Sequence, residues 1–142
     1  MAKLSFGSCY FSTTALTSLS ANTPAKAAGT TTAMQLGDFT TTNNRLTYTG
    51  ATTRTFQVGF AGTSSKGGGG STLGIYSIYK NGSAIPGILA TRTIANATDR
   101  GAFGMLGQIQ LAQNEYIELW LETDTGDDLT IEAGVLSAVV IG

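Results

Sequence analysis

The sequence predicts an all-β protein, a two-sheet antiparallel sandwich or jelly roll, on three observations. Segments in which apolar and polar residues alternate recur about every 8–12 residues, the pattern of strands with one buried face. No stretch shows the apolar periodicity of a long helix. Charged residues make up only 12% of the chain, and Gly accounts for 19 of its 142 residues. This composition suits strands and tight turns.

The composition also limits the classes of function. With 42% hydrophobic residues and a net charge of −1, the chain can bury a core, and it offers no long-range attraction to nucleic acid or to anionic membranes. It has no His, which is the commonest general base and zinc ligand. The single thiol, Cys9, cannot form an internal disulfide. We therefore expect no cofactor and no enzymatic activity.

The sequence shows no targeting signal. The opening residues MAKLSFGSC lack the apolar run of about 7–15 residues that a signal peptide needs. No segment approaches the roughly 20 apolar residues of a membrane-spanning helix. We expect a soluble single domain that is made in the cytosol.

Residues 1–43 are predicted to form a Ser/Thr-rich N-terminal segment. Strand signals in this segment are short, at Tyr10-Phe11 and at residues 33–36, and their alternation is poor. The segment is either an arm that gains order from a neighbouring molecule or a set of irregular edge strands, and it is the candidate docking segment. The jelly-roll core is predicted to span residues 44–142.

Clear alternation begins after residue 44. Residues 45–49 form one strand, and Phe56, Val58 and Phe60 share one face of the next. The Gly-rich stretch that follows is expected to be a flexible loop, because glycine maximises backbone freedom. Its residues are Lys66, Gly67, Gly68, Gly69, Gly70 and Ser71. It lacks the GKS or GKT ending of a phosphate-binding loop, so nucleotide binding is not expected.

A hairpin is predicted next. Residues 73–79 form a strand, and Asn81-Gly82 is a strong signal for a type I′ turn, in which both central residues need positive φ. Residues 88–94 return from that turn. Residues 103–111 then form a long strand that leads into the most unusual segment of the chain.

That segment, residues 116–122, is a strand whose outward face is aromatic as well as charged. Its core face is aliphatic at every second position, while the opposite face carries Tyr116, Glu118, Trp120 and Glu122. Large aromatics between carboxylates indicate a second buried surface, against another chain. The last strand, residues 129–141, begins with alternation and ends apolar on both faces, which is typical of a strand covered on two sides.

Two groups of acidic residues are candidates for chemistry. Glu118 and Glu122 share a strand face, but residues four apart on a strand lie roughly 13 Å apart. Paired catalytic carboxylates in glycosidases lie about 5–9.5 Å apart. Asp124, Asp127 and Asp128 share one turn and are weak candidates for calcium binding. The turn lacks EF-hand spacing, so a solvated turn is the default interpretation.

Several short motifs occur in an order that is known from one family. They are Tyr79-Lys80-Asn81-Gly82, then Leu111 with Glu115-Tyr116-Ile117-Glu118-Leu119, and the closing Leu136-Ser137-Ala138-Val139-Val140-Ile141-Gly142, preceded upstream by Thr49-Gly50-Ala51 and Arg54-Thr55-Phe56-Gln57-Val58. Together they resemble the C1q/TNF-like jelly roll in the version found in bacteriophage virion proteins. The resemblance covers residues 44–142. One departure is Asn114-Glu115, where the pattern has Gly-Asp.

The resemblance implies a two-sheet jelly roll that assembles as a homotrimer, with the inner sheets facing the three-fold axis. Such a trimer would bury the aromatic strand face and the two-faced last strand. The interface residues predicted in this way are Tyr116, Glu118, Trp120, Leu136, Ala138 and Val140.

The resemblance also implies a structural role in a virion. The first interpretation is a capsid decoration, or cement, protein on the head surface that contacts the major capsid protein or another virion protein. One alternative is a tail-fibre or spike tip that binds a host receptor or glycan through residues 66–71 and 124–128. The other is a non-viral C1q-like adhesive module. None of these interpretations includes nucleic acid or membrane as a partner.

Overall fold

The computed structural model describes residues 3–142, and they form twelve strands and no helix. The strands are β1 (Phe6–Thr13), β2 (Leu16–Thr17), β3 (Ala25–Lys26), β4 (Thr30–Gly37), β5 (Phe39–Thr42), β6 (Arg45–Tyr48), β7 (Arg54–Lys66), β8 (Thr72–Lys80), β9 (Ser83–Ile94), β10 (Gly101–Leu111), β11 (Tyr116–Thr123) and β12 (Leu129–Val140). The part of the chain that is described therefore contains no helix that could cross a membrane.

The strands make two six-stranded sheets. The first has the order β10-β7-β12-β1-β4, with β2 beside β12, and the second has the order β5-β6-β11-β8-β9, with β3 beside β11. Every pairing is antiparallel. This arrangement confirms the predicted all-β, two-sheet antiparallel fold.

Residues 3–43 belong to the same sandwich as the rest of the described chain. β1 lies between β12 and β4, and Cys9 and Phe11 of β1 are buried in the shared core. Burial also raises the pKa of the Cys9 thiol. β4 and β5 lie at the edges of the two sheets, so this segment supplies edge strands as well as β1, which pairs on both sides.

The core forms where the inner faces of the two sheets meet. Phe56, Val58 and Phe60 of β7 are buried, as their alternation predicts. Aromatic rings fill both ends of the core: Tyr48 packs against Phe56 with ring centroids 4.9 Å apart, and the Tyr76 and Phe103 rings are stacked at 3.7 Å. Interlocked rings of this kind add about 0.5–1.5 kcal/mol per pair beyond the burial of their area.

The turns follow their sequence signals. Asn81 and Gly82 both have positive φ, of 53° and 79°, as the predicted type I′ hairpin requires. Asn114 also has a positive φ, of 70°, so Asn takes the left-handed conformation in which the family pattern uses Gly. Glu115 closes that turn, because its carboxylate accepts a hydrogen bond from the Ala112 N–H at 2.8 Å.

Phe11 provides a test of whether β1 is integral to the fold. Its side chain is 8% exposed, and its ring meets the Phe60 ring edge to face at 6.0 Å. Phe11→Ala should lower the free energy of unfolding by about 3–5 kcal/mol, because it leaves a cavity in the shared core. Urea unfolding at fixed protein concentration measures this.

Ser12→Ala is the control for Phe11→Ala, because Ser12 lies on the same strand and is exposed. It should change the stability by about 0.5 kcal/mol or less. Equal stability of the two variants would mean that β1 is an arm that the core does not need.

Candidate assembly interface

The aromatic residues of β11 are covered by their own chain. The Arg45 guanidinium lies 3.9 Å from the centre of the Tyr116 ring, a cation–π contact. The Trp120 ring stacks on the Tyr79 ring, with centroids 4.4 Å apart and planes 4° apart. Tyr116 and Trp120 are half-buried in the single chain. Contacts within the chain therefore account for an aromatic face that the sequence assigned to a partner.

Glu118, between these two aromatic residues, is also satisfied within the chain. It is 2% exposed, and its Oε2 meets Arg45 Nη2 at 2.9 Å and Lys26 Nζ at 3.3 Å. Its Oε1 accepts a hydrogen bond from Trp120 Nε1 at 3.2 Å. Glu118, which the sequence places at a subunit interface, is therefore enclosed by its own sheet and has little surface left for a partner chain.

Leu136 and Ala138 of β12 are corrected in the same way. They are 2% and 0% exposed and belong to the monomer core, so a partner chain cannot contact them. Val140 is half-buried and packs against that core. The residues of β12 that alternate with these, Val135 and Val139, point away from the core. The residues of β12 that the single chain leaves accessible are therefore Val135 and Val139, and not the predicted Leu136 and Ala138.

The outward face of the first sheet is the apolar surface that remains free. Its outward residues from β1, β7, β10 and the second half of β12 include no charged side chain. Leu106 of β10 is 65% exposed, Val139 of β12 is 53% exposed and Tyr10 of β1 is 40% exposed. We call this surface the apolar face; its main members are Phe6, Tyr10, Gly59, Ala61, Gly104, Leu106, Val135 and Val139.

The apolar face is shaped as well as uncharged. A shallow hollow of 540 Å³ is lined by Gly59, Ala61 and Gly104 beside Leu106. A Cβ on Gly59 would lie 2.9 Å from the Leu106 side chain, so the absence of a side chain there keeps the hollow open. Tyr10 projects from β1, two strands away from β7 in the sheet order. The register partner of Tyr10 is Val135, which lines the hollow, so Tyr10 and the hollow are neighbours on one surface.

The predicted flexible loop begins one residue later than expected. Lys66 is the last residue of β7, and its side chain is fully buried. Its Nζ meets Asp127 Oδ2 at 2.7 Å and donates a hydrogen bond to the Gly68 carbonyl. Lys66 is thus an anchor, and residues 67–71 form the connection between β7 and β8. Gly68 and Gly69 have φ of 64° and 69°, which glycine adopts without strain.

The three carboxylates proposed for calcium point to different partners. Asp124 Oδ1 accepts a hydrogen bond from the Leu73 N–H at 2.9 Å, and Asp128 Oδ1 accepts one from the Leu19 N–H at 2.8 Å. Asp127 pairs with Lys66. Residues 3–142 contain no cluster of three or more His, Cys, Asp or Glu that could hold a metal ion. The turn fastens neighbouring loops together and does not assemble a calcium site.

Comparison with known proteins identifies the fold. No family model and no curated protein matches the sequence. Among solved structures, Eiger TNF from S. frugiperda matches with a TM-score of 0.65 and 10% identity, over 99% of this chain and 94% of that chain. Murine APRIL matches with a TM-score of 0.64 and 9% identity, over 98% and 100% of the two chains. The chain therefore has a TNF-like jelly-roll fold.

The Lys66–Asp127 pair makes the loop end sensitive to acid. Hydrogen bonds from Lys66 and then from Thr72 hold the pKa of Asp127 below its ordinary value of 3.8. The stabilisation that the Asp127 carboxylate contributes is fully present above pH 3.8, its ordinary pKa. It is lost as the pH falls through the lower pKa that Asp127 has in the folded protein. Asp127→Asn should reduce stability at neutral pH and make the loss of stability below about pH 4 shallower.

Urea unfolding across this pH series measures the effect. Asp124→Asn is the matched control, because it changes a neighbouring carboxylate and keeps the Lys66–Asp127 pair. An unchanged pH profile in Asp127→Asn would contradict the role of the pair.

Proposed function

We propose that this protein is a structural protein of a virion that assembles as a homotrimer through the apolar face and decorates the capsid surface. The observation that carries the assembly proposal is the exposure of large aliphatic side chains, Leu106 and Val139 above all, on a sheet face without charged side chains. Contiguous apolar patches are uncommon on soluble monomers and mark interaction surfaces.

The apolar face carries a hollow and an exposed aromatic residue that can match across a subunit contact. Tyr10 is 40% exposed, and its register partner Val135 lines the hollow beside Leu106. Both a two-fold contact and a ring can bring such features together. Burial of each aliphatic side chain in the contact contributes about 25 cal/mol per Å² of apolar surface. The trimeric state is the one that the family resemblance implies.

The second sheet then faces away from the three-fold axis. Part of its outward charge is already paired within the chain, as Glu118 is with Arg45 and Lys26. A face whose charged and aromatic groups are partly satisfied internally suits exposure to solvent or contact with a polar partner.

The virion role is supported by the resemblance of residues 44–142 to phage virion proteins. The solved structures that match the chain support only the fold. A decoration protein acts through linkage: it binds assembled capsid better than free subunits and so stabilises the shell. The major capsid protein is the partner that this mechanism requires. No catalytic step is part of the proposal.

Leu106→Glu tests the apolar face directly. The change places a carboxylate in the centre of the contact, and three copies would meet near the axis of a trimer. We expect the dissociation constant of the trimer to rise by about 100-fold or more, because burying an unpaired charge and placing like charges in contact cost several kcal/mol. Light scattering over a concentration series measures the oligomeric state.

Trp120→Ser is the control for Leu106→Glu. It should lower the stability of the fold, because the stack with Tyr79 is lost, yet leave the trimer intact. If Trp120→Ser dissociated the trimer while Leu106→Glu left it intact, the interface would lie on the second sheet and not on the apolar face. A monomeric wild-type protein would contradict the assembly proposal altogether.

The virion role predicts a copy number. Virions purified from cells that make this protein should carry it in numbers of the same order as the major capsid protein, as measured by quantitative mass spectrometry. A handful of copies per particle would indicate a fibre or spike tip. Absence from the particles would indicate the non-viral adhesive module.

A further inference from the structure

A polar depression of 450 Å³ lies at one edge of the sandwich, where β3, the start of β4 and the turn between β5 and β6 meet. Its walls include Thr30, Thr31 and Asn43, and its charged members are Lys26 and Arg45. It is separate from the apolar face and from the loops around Lys66. Neither the assembly role nor the core requires such a depression.

The walls of this polar depression are held in place by unusual backbone and by one amide. Asn43 and Asn44 have φ of 53° and 58°, a conformation that Asn tolerates better than most residues. The Asn44 amide accepts a hydrogen bond from the Thr31 N–H at 3.0 Å and donates one to the Gly29 carbonyl at 2.8 Å. Two segments, residues 29–31 and the turn at residues 43–44, are thereby joined, so this part of the depression is preformed.

The charges of the polar depression do not balance. Lys26 and Arg45 both pair with Glu118, and two cations with one carboxylate leave one positive charge. Glu118 is 2% exposed, while the side chains of Lys26 and Arg45 remain 31% and 30% exposed. The carboxylate is thus withdrawn from solvent, whereas both cations keep exposed side-chain surface. Lys26 Nζ also donates a hydrogen bond to the Asn43 carbonyl at 2.7 Å.

We propose that the polar depression binds a monoanionic, hydroxyl-rich ligand, namely a sugar that carries a carboxylate. The single unbalanced charge matches one carboxylate, which Lys26 and Arg45 can bind through charge-assisted hydrogen bonds. The walls of Thr30, Thr31 and Asn43 offer uncharged donors and acceptors for hydroxyl groups. The volume is that of a small-molecule site, about 300–1,000 Å³, and exceeds what an inorganic ion needs.

The test uses the full-length protein and D-glucuronate as the probe. Backbone amide NMR shifts should change saturably with glucuronate at residues 29–31 and 43–45. Glucose, which has the same ring without the carboxylate, should produce no saturable change, and inorganic phosphate should bind more weakly than glucuronate. Equal effects of phosphate and glucuronate, or no localised shifts with glucuronate, would overturn the proposal.

Three variants separate this charge account from a structural effect. Lys26→Met keeps the Arg45–Glu118 pair and should weaken glucuronate binding about tenfold, since a charged hydrogen bond is lost. Lys80→Met removes a lysine of similar exposure, 32%, that pairs with Glu115 outside the depression, and it should bind like the wild type. Glu118→Gln raises the local charge from one to two, retains an acceptor for Trp120, and should bind glucuronate more tightly.

Wild-type affinity in Lys26→Met would overturn the proposal, as would weaker binding in a folded Glu118→Gln. Trimer formation is independent of this site. Failure of glucuronate binding in an intact trimer would leave the assembly proposal unaffected, and binding by a monomeric variant such as Leu106→Glu would show that the site does not need assembly.

Discussion

The placement of β12 in the middle of the first sheet is the constraint on which the rest of the structure depends. It pairs with β7 on one side and with β1 on the other. Because successive side chains of a strand point to opposite faces, Leu136 and Ala138 enter the core while Val135 and Val139 point outward. One apolar strand thereby contributes to the core of the monomer and to its apolar face.

The two outward faces of the sandwich differ in how their side chains are satisfied. On the second sheet, Arg45 and Lys26 enclose Glu118, and the aromatic rings find partners in the same chain. On the first sheet, Leu106 and Val139 have no covering side chains of their own. The second sheet therefore covers much of its aromatic and charged face from within the chain, whereas the first sheet leaves aliphatic side chains exposed.

The few charged residues of the chain serve mainly to fasten segments together. Asp127 joins the end of β7 to the turn before β12 through Lys66, and Glu118 joins β3 and β6 to β11. In the second case the fastening leaves one positive charge that solvent can reach. A structural ion pair and a candidate ligand site thus share the same atoms.

Alternation, glycine signals and composition were enough to predict the all-β class, the two-sheet architecture and turns such as Asn81-Gly82, because these depend on neighbouring residues in the chain. The role of β1 could not be read in this way, since its partners β12 and β4 are recognised only by long-range pairing. The covering of the outward face of β11 could not be read from the sequence for a related reason. The sequence shows that Trp120 and Glu118 face away from the core, but only the tertiary structure brings Tyr79, Arg45 and Lys26 over them. Likewise, when a strand is apolar at every position, alternation does not say which alternate set of residues faces inward. The opposing sheet decides this by covering Leu136 and Ala138 and leaving Val135 and Val139 free.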